Sequence, residues 1–167
     1  MNLTLLGINH RTAPVEVREK MNIPADAVVA ALTDLVHREG IREGMILSTC
    51  NRVEVTTSAE DEVDAESIIR GFLADHHHCN LDPFAHFFYR LRQQDVVKHL
   101  FRVASSLDSM ILGEPQILGQ IKQAYATARS AGAMNSTLND VVNQALAVAR
   151  RASGMFIFSR TSTGAVR

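Results

Sequence analysis

The sequence predicts an α+β domain, and three observations carry that prediction. Apolar runs of strand length and helical stripes succeed one another in the order strand, helix, strand, strand, helix, strand, ending near Tyr89. That order is the split βαβ arrangement of a ferredoxin-like βαββαβ sheet with helices on one face. Beyond it lie three stretches whose apolar residues recur only at helical spacing, so about three C-terminal helices should follow. With 167 residues, 46% of them hydrophobic, the chain is long enough for one well-buried core with a helical extension.

Each element has its own signal. Leu3-Thr4-Leu5-Leu6-Gly7-Ile8-Asn9 reads as a buried strand running into a loop, His10 to Pro14. Pro14 fixes its own φ and pushes Ala13 towards an extended conformation. Asn22-Ile23-Pro24 reads as a helix start with Pro24 in the first turn. Ala27, Val28, Ala31, Leu32, Leu35 and Val36 continue that helix to about Arg38, where Gly40 and Gly44 mark a stop and a turn. Gly44 to Ser48 is the second strand and Val53 to Thr57 the third. A helix between Asp61 and Cys79 shows Ile68, Ile69, Phe72 and Leu73 on one face. Pro83 breaks the chain, and Phe84-Ala85-His86-Phe87-Phe88-Tyr89 reads as the fourth strand.

The first C-terminal helix is striped by Val96, Val97, Leu100, Phe101 and Ala104, and the second by Ile117, Leu118, Ile121, Ala124, Tyr125 and Ala128. The third carries Leu138, Val141, Val142, Ala145, Leu146 and Ala149, with Thr137 and Asp140 at capping-box spacing. Gly132 separates the last two. Residues 1–153 read as one domain, and 154–167, rich in Ser, Thr and Gly, as a loop or the start of a linker.

Charge and composition exclude several classes. A net charge of −1 argues against nucleic-acid binding driven by bulk charge. No run of about 18 apolar residues exists, so no transmembrane helix is expected. Met1 leads directly into a strand-like run rather than a signal peptide. Cys50 and Cys79 are therefore expected as free thiols in a reducing cytoplasm.

The chemistry centres on Ser48-Thr49-Cys50-Asn51-Arg52, a tight turn between the second and third strands. A cysteine reacts as its thiolate, and polar neighbours govern how much thiolate exists. Arg52 can favour the thiolate or bind an anionic substrate group; Asn51 and the turn amides can hydrogen-bond an oxyanion. The competing reading is a small buried cysteine at a strand end.

His76-His77-His78-Cys79 invites a metal reading, yet consecutive helical residues face different ways, so only His76 and Cys79 could share a ligand set. No second ligand pair stands at zinc-site spacing, and a solvated helix end is the better account of the run. From His99 to Gln120 a helix ends in a Ser/Asp cluster, a loop carries Gly113-Glu114-Pro115, and a new helix opens at Gln116. Such loops between packed helices are suited to substrate contacts. His99 lies on an apolar helix, either as a hydrogen-bonded core histidine or as a group that orients substrate or moves a proton near Cys50. No G-x-G-x-x-G follows a strand and no P-loop is present, so a nucleotide cofactor would bind outside this chain. Arg90, Arg92, Arg150 and Arg151 read as solvated faces, with no RNA-binding signature.

Three blocks together resemble the glutamyl-tRNA reductase family, which begins tetrapyrrole (porphyrin) synthesis. They are Gly7-Ile8-Asn9-His10-Arg11-Thr12-Ala13-Pro14 with Arg18-Glu19, Leu47-Ser48-Thr49-Cys50-Asn51-Arg52-Val53-Glu54, and the run from His99 to Gln120. The resemblance is to the N-terminal catalytic domain. It implies an NADPH-dependent oxidoreductase of the cytoplasm in which the Cys50 thiolate attacks the ester of glutamyl-tRNA. An enzyme-bound thioester forms, and NADPH reduces it to glutamate-1-semialdehyde.

The same resemblance implies substrate contacts at Thr49, Asn51, Arg52, Ser109, Glu114, Pro115, Gln116 and Gln120, and a role in activity for His99. Arg52 would meet the γ-carboxylate, and Glu114 or Glu54 the α-ammonium. Full-length members continue into an NADPH-binding domain and a helical dimerisation domain, so a homodimer and the downstream aminomutase are the implied partners. This chain reads as a fragment without those domains, expected to capture the glutamyl group and then lose it slowly to water. A non-catalytic tRNA- or protein-binding module of the same fold is the alternative.

Overall fold

The computed structural model describes residues 2–105 and 116–161. The strands are β1 (Asn2–Asn9), β2 (Ile41–Ser48), β3 (Arg52–Ala59) and β4 (Tyr89–Arg92). The helices are α1 (Val15–Lys20), α2 (Val28–Val36), α3 (Ala65–His77), α4 (Gln94–Ala104), α5 (Gln116–Ser130) and α6 (Thr137–Thr161). The strands pair antiparallel throughout in the order β2-β3-β1-β4. That is the ferredoxin-like arrangement expected from the element order.

The two faces of the sheet follow from the period-2 alternation of side chains. Gly44 and Arg92 share the face that packs on α2 and α3. A Cβ on Gly44 would lie 2.9 Å from Leu35 of α2, and Arg92 reaches Glu66 of α3 at 3.1 Å. The other face carries Glu43, Arg52, Glu54 and Tyr89, and meets α4 and α6. Every residue of β3 is buried, because helices cover the sheet on both sides. The helices on one face expected from the βαββαβ pattern are therefore α2 and α3, and the C-terminal helices close the other.

Four local readings are corrected. Residues 84–88, expected with Tyr89 as the fourth strand, are not a strand: Asp82–Phe87 is a 3₁₀ turn, and β4 begins at Tyr89. Pro83 fits the first turn, Asn80 caps the Asp82 amide at 2.9 Å, and Phe84 N–H donates to Leu81 at 2.9 Å. The aromatic run mimics a buried strand by composition alone. The second helix starts at Val28 rather than near Pro24; the residues before it form a turn in which Ala27 N–H donates to the Pro24 carbonyl at 2.9 Å. Helix α1 was not expected; its single buried residue, Val17, makes no apolar stripe. The tail expected as a loop from Gly154 is helical to Thr161, continuing α6.

The start of α6 is capped from outside. The Glu43 carboxylate on β2 accepts from the amides of Asn135, Leu138 and Asn139 at 2.8, 2.9 and 3.4 Å. A carboxylate at a helix N-terminus satisfies orphan N–H groups and complements the dipole. The Thr137–Asp140 spacing pointed to a different cap.

Candidate active site at the Cys50 turn

Cys50 is exposed at the tip of the β2–β3 connection, and both it and Cys79 are free thiols. Thr49 organises the turn. Its N–H donates to the Arg52 carbonyl at 2.8 Å, and its Oγ1 accepts from the amides of Asn51 and Arg52 at 3.2 and 3.1 Å. A hydroxyl that replaces backbone partners in this way holds a short turn in one shape. The amides of Asn51 and Arg52 are thus engaged inside the turn rather than turned out towards an oxyanion.

The turn is also tied to the β1–α1 loop. His10 N–H donates to the Asn51 carbonyl at 2.9 Å, and Arg18 Nε donates to the Cys50 carbonyl at 3.1 Å. Asn9 shapes that loop, its Oδ1 accepting from the amides of Arg11 and Thr12 at 2.9 and 3.2 Å. The first and second sequence blocks therefore form one structure.

Beneath the turn lies a buried polar cluster. Arg52 and Glu54, two residues apart on β3, point to the same face and are 2% and 1% exposed. Arg52 Nη1 donates to Glu54 Oε1 at 2.8 Å. The same oxygen accepts from the Tyr89 hydroxyl at 2.5 Å and lies 3.0 Å from His99 Nε2. Burial pushes the Glu54 carboxyl up, but His99, Arg52 and the Tyr89 hydroxyl outweigh it and hold the group below its ordinary value. Burial and the facing Glu54 push the Tyr89 phenol well above its usual range, so Tyr89 acts as a neutral donor.

Gly7 is required above this cluster. A Cβ there would lie 2.8 Å from Glu54 Cγ, 3.0 Å from the Val53 carbonyl and 3.1 Å from the Tyr89 hydroxyl.

The expected site residues divide into three groups. Thr49, Cys50 and Asn51 form the turn, with Arg52 at its foot. Thr49 and Cys50 line an open cleft of about 350 Å³ with Val15, Arg18, Glu19 and Asn22. Thr49 and Gln120 line a second cleft of about 260 Å³, between the end of β2 and α5. Gln116 is exposed at the start of α5. Ser109, Glu114 and Pro115 lie outside the described residues.

Two expected residues have described contacts inside the domain. Arg52 was to meet the substrate γ-carboxylate, yet it is buried with its Nη1 on Glu54. His99 was to act near Cys50; its described hydrogen bond is to Glu54, four residues along the chain from Cys50. Glu54, offered as a partner for an ammonium, already has three donors around one oxygen.

The histidine run serves the end of α3. His78 takes a left-handed C-cap conformation with φ 49°, and Cys79 N–H returns to the Ala74 carbonyl at 3.1 Å. Among the described residues no group of three or more His, Cys, Asp or Glu side chains could hold a metal ion.

Sequence reasoning gave no role to Arg18 or Tyr89. Tyr89 is separated from Glu54 by 35 residues, so only the β1–β3–β4 register brings them together. Arg18 stood inside a recognised block, but a short α1 with no apolar stripe hid its direction.

Fold and site together define an α+β domain that presents a thiol on a strand-to-strand turn above a buried Arg-Glu pair flanked by partly buried His and Tyr side chains. The family model described as Glutamyl-tRNAGlu reductase, N-terminal domain, matches residues 6–154. The chain is 50% identical over 153 residues to "Glutamyl-tRNA reductase 2" of Koribacter versatilis, covering 90% of this chain and 34% of that protein. It is 46% identical over 151 residues to "Glutamyl-tRNA reductase" of Solibacter usitatus, covering 90% and 36%. A solved structure, "Glutamyl-tRNA Reductase from Methanopyrus kandleri", superposes with TM-score 0.73 at 34% identity, over 92% of this chain and 34% of that one. The chain belongs to the glutamyl-tRNA reductase N-terminal domain family. It spans about a third of the length of these relatives.

Proposed function

We propose that this chain is the catalytic, acyl-capturing domain of an NADPH-dependent glutamyl-tRNA reductase, with Cys50 as nucleophile. The observation that carries this reading is an exposed thiol on a turn whose flanking peptides are hydrogen-bonded in place, between two clefts that share Thr49. A structural cysteine needs neither exposure nor such anchoring.

The Cys50 thiolate attacks the carbonyl carbon that joins glutamate to the terminal ribose of its tRNA. A C–S bond forms and the carbonyl π pair moves to oxygen. The tetrahedral intermediate then collapses, the C–O bond to the ribose breaks, and the leaving oxygen takes a proton from water. The product is a glutamyl thioester on Cys50 and free tRNA. Capture splits one difficult acyl reduction into two easier steps, since a thioester is the better hydride acceptor.

The glutamyl group is proposed to lie on the Thr49 side of Cys50, towards Gln120, with Asn51, Ser109, Glu114, Pro115 and Gln116 around it. His99 is proposed to act on the captured group, its ring oriented by Glu54. Arg52 supports the pocket through that same carboxylate; a direct bond to the γ-carboxylate needs its guanidinium to share donors between two anions. Arg52→Lys keeps the charge but loses the fork, so discrimination between glutamyl and glutaminyl esters should fall if that shared contact exists.

The described residues do not fit a dinucleotide. The sheet is antiparallel throughout, and no strand feeds a glycine-rich turn at a helix start. No step proposed for this chain runs through NADPH, and the captured glutamyl group should be lost slowly to water. NADPH-dependent aldehyde production by the chain alone would contradict this.

Domain limits at 1–153, a homodimer at full length, the downstream aminomutase as partner and a cytoplasmic location belong to the same reading. No described helix is long and apolar enough to cross a membrane. Co-elution of the full-length protein with an aminomutase on a sizing column checks the partnership. The test of the function is formation of a glutamyl adduct on Cys50, absent from Cys50→Ser.

A further inference from the structure

Arg18 is the one residue of the first sequence block that contacts the nucleophile's backbone and that the proposed chemistry leaves unused. From α1 it spans two segments: Nε donates to the Cys50 carbonyl at 3.1 Å and Nη1 to the Ala13 carbonyl at 2.7 Å. Two donors fixed on one planar group make this a bridge whose geometry the single flexible ammonium of a lysine does not reproduce.

The hydrogen bonds around the turn then single out one amide. Thr49 N–H is held by the Arg52 carbonyl, and Asn51 and Arg52 N–H by Thr49 Oγ1. The Cys50 carbonyl is held by Arg18 and the Asn51 carbonyl by His10. The N–H of Cys50 alone among the four turn amides has no hydrogen-bond partner among the described residues. The peptides before and after the Thr49–Cys50 plane are both anchored, so that plane has little room to turn.

We propose that Arg18 is a positioning residue. By clamping the Cys50 carbonyl to the β1–α1 loop, it presents the nucleophile's own N–H to the oxyanion of the tetrahedral intermediate. The inference rests on the acyl-capture reading above. A donor on the residue that attacks sits next to the carbonyl oxygen as charge develops there, and fixed donors of this kind change rates by about 10²–10³. Arg18 does not touch the substrate; it acts through the peptide it holds.

The test compares two reactions of the same thiol. Acyl capture from glutamyl-tRNA builds an oxyanion, whereas alkylation by iodoacetamide displaces iodide at a saturated carbon and builds none. Both rates are measured for the native chain, Arg18→Ala and Arg18→Lys. In Arg18→Ala, acyl capture at saturating tRNA should slow about 10–100-fold while alkylation stays within about twofold. Added guanidinium ion at millimolar concentration should restore part of the acyl rate in Arg18→Ala. Should Arg18→Ala fail to fold, Arg18→Lys carries the same comparison, since it keeps the charge without bridging two carbonyls.

An unchanged acyl rate, or a parallel fall in both reactions, would overturn the proposal. A native chain that alkylates but never captures glutamate would overturn the acyl-capture reading and this inference with it.

Discussion

Glu54 is the residue on which the site's interior depends. Its carboxylate accepts from Arg52 and Tyr89 and meets His99, all at one oxygen. Breaking a buried ion pair by neutralising one partner leaves an uncompensated charge and costs about 3–5 kcal/mol. Glu54→Gln should lower the urea midpoint accordingly and loosen His99, so acyl capture should fall even where the protein remains folded. A midpoint unchanged from native would show that Arg52 finds another anion. Gly7→Ala probes the same cluster from above. Its methyl would intrude on Glu54, Val53 and Tyr89, and overpacking of this kind costs about 1–3 kcal/mol. At this scale the sequence exposed Cys50, Thr49, Asn51 and His99 through their motifs. It could not show that Arg52 is turned inward, because burial of a charge depends on a partner face built by β1, β4 and α4.

At the scale of elements, strands and long helices were legible because each has a continuous apolar period. The elements that escaped lack one. Helix α1 buries only Val17, and the 82–87 turn is shaped by Pro83 and an Asn80 cap while its aromatics imitate a strand. The α6 cap was hidden for a different reason: the capping carboxylate sits 92 residues away from Asn135, on β2. Glu43→Ala should leave three amides at the start of α6 without their acceptor, costing about 1–3 kcal/mol per buried unsatisfied group at most. Hydrogen exchange should speed up at Leu138 and Asn139 and leave α3 unaffected; uniform exchange across all helices would contradict a local capping role.

For the whole molecule, acid stability follows from two groups with opposite chemistry and the same sign. His77 is half-buried at the end of α3, and its Nε2 is buried with no hydrogen-bond partner among the described residues. Burial, with His76 and His78 nearby, lowers it from 6.5 to about 4. Its neutral folded form therefore contributes stability fully above 6.5, and that contribution is lost as pH falls towards 4. Glu54, held below the ordinary carboxylate value, contributes above about 4.5 and loses its contribution as pH falls through its lower folded value. Stability should fall in two stages on acidification. His77→Gln should flatten the first, between about pH 6.5 and 4, and leave the second. A single stage common to both proteins would refute the assignment.

The βαββαβ order set the sheet, and the sheet places the first block against the second: the β1–α1 loop with His10, and Arg18 on α1, close over the β2–β3 turn carrying Cys50. The proposed mechanism requires that this thiol take the glutamyl group. The most direct measurement is intact-protein mass after mixing with glutamyl-tRNA and quenching in acid, for the native chain and for Cys50→Ser. A glutamyl-sized adduct on the native chain and none on Cys50→Ser is the predicted result. No adduct on either, with glutamyl-tRNA left unhydrolysed, would contradict the account and leave a fold that binds without reacting.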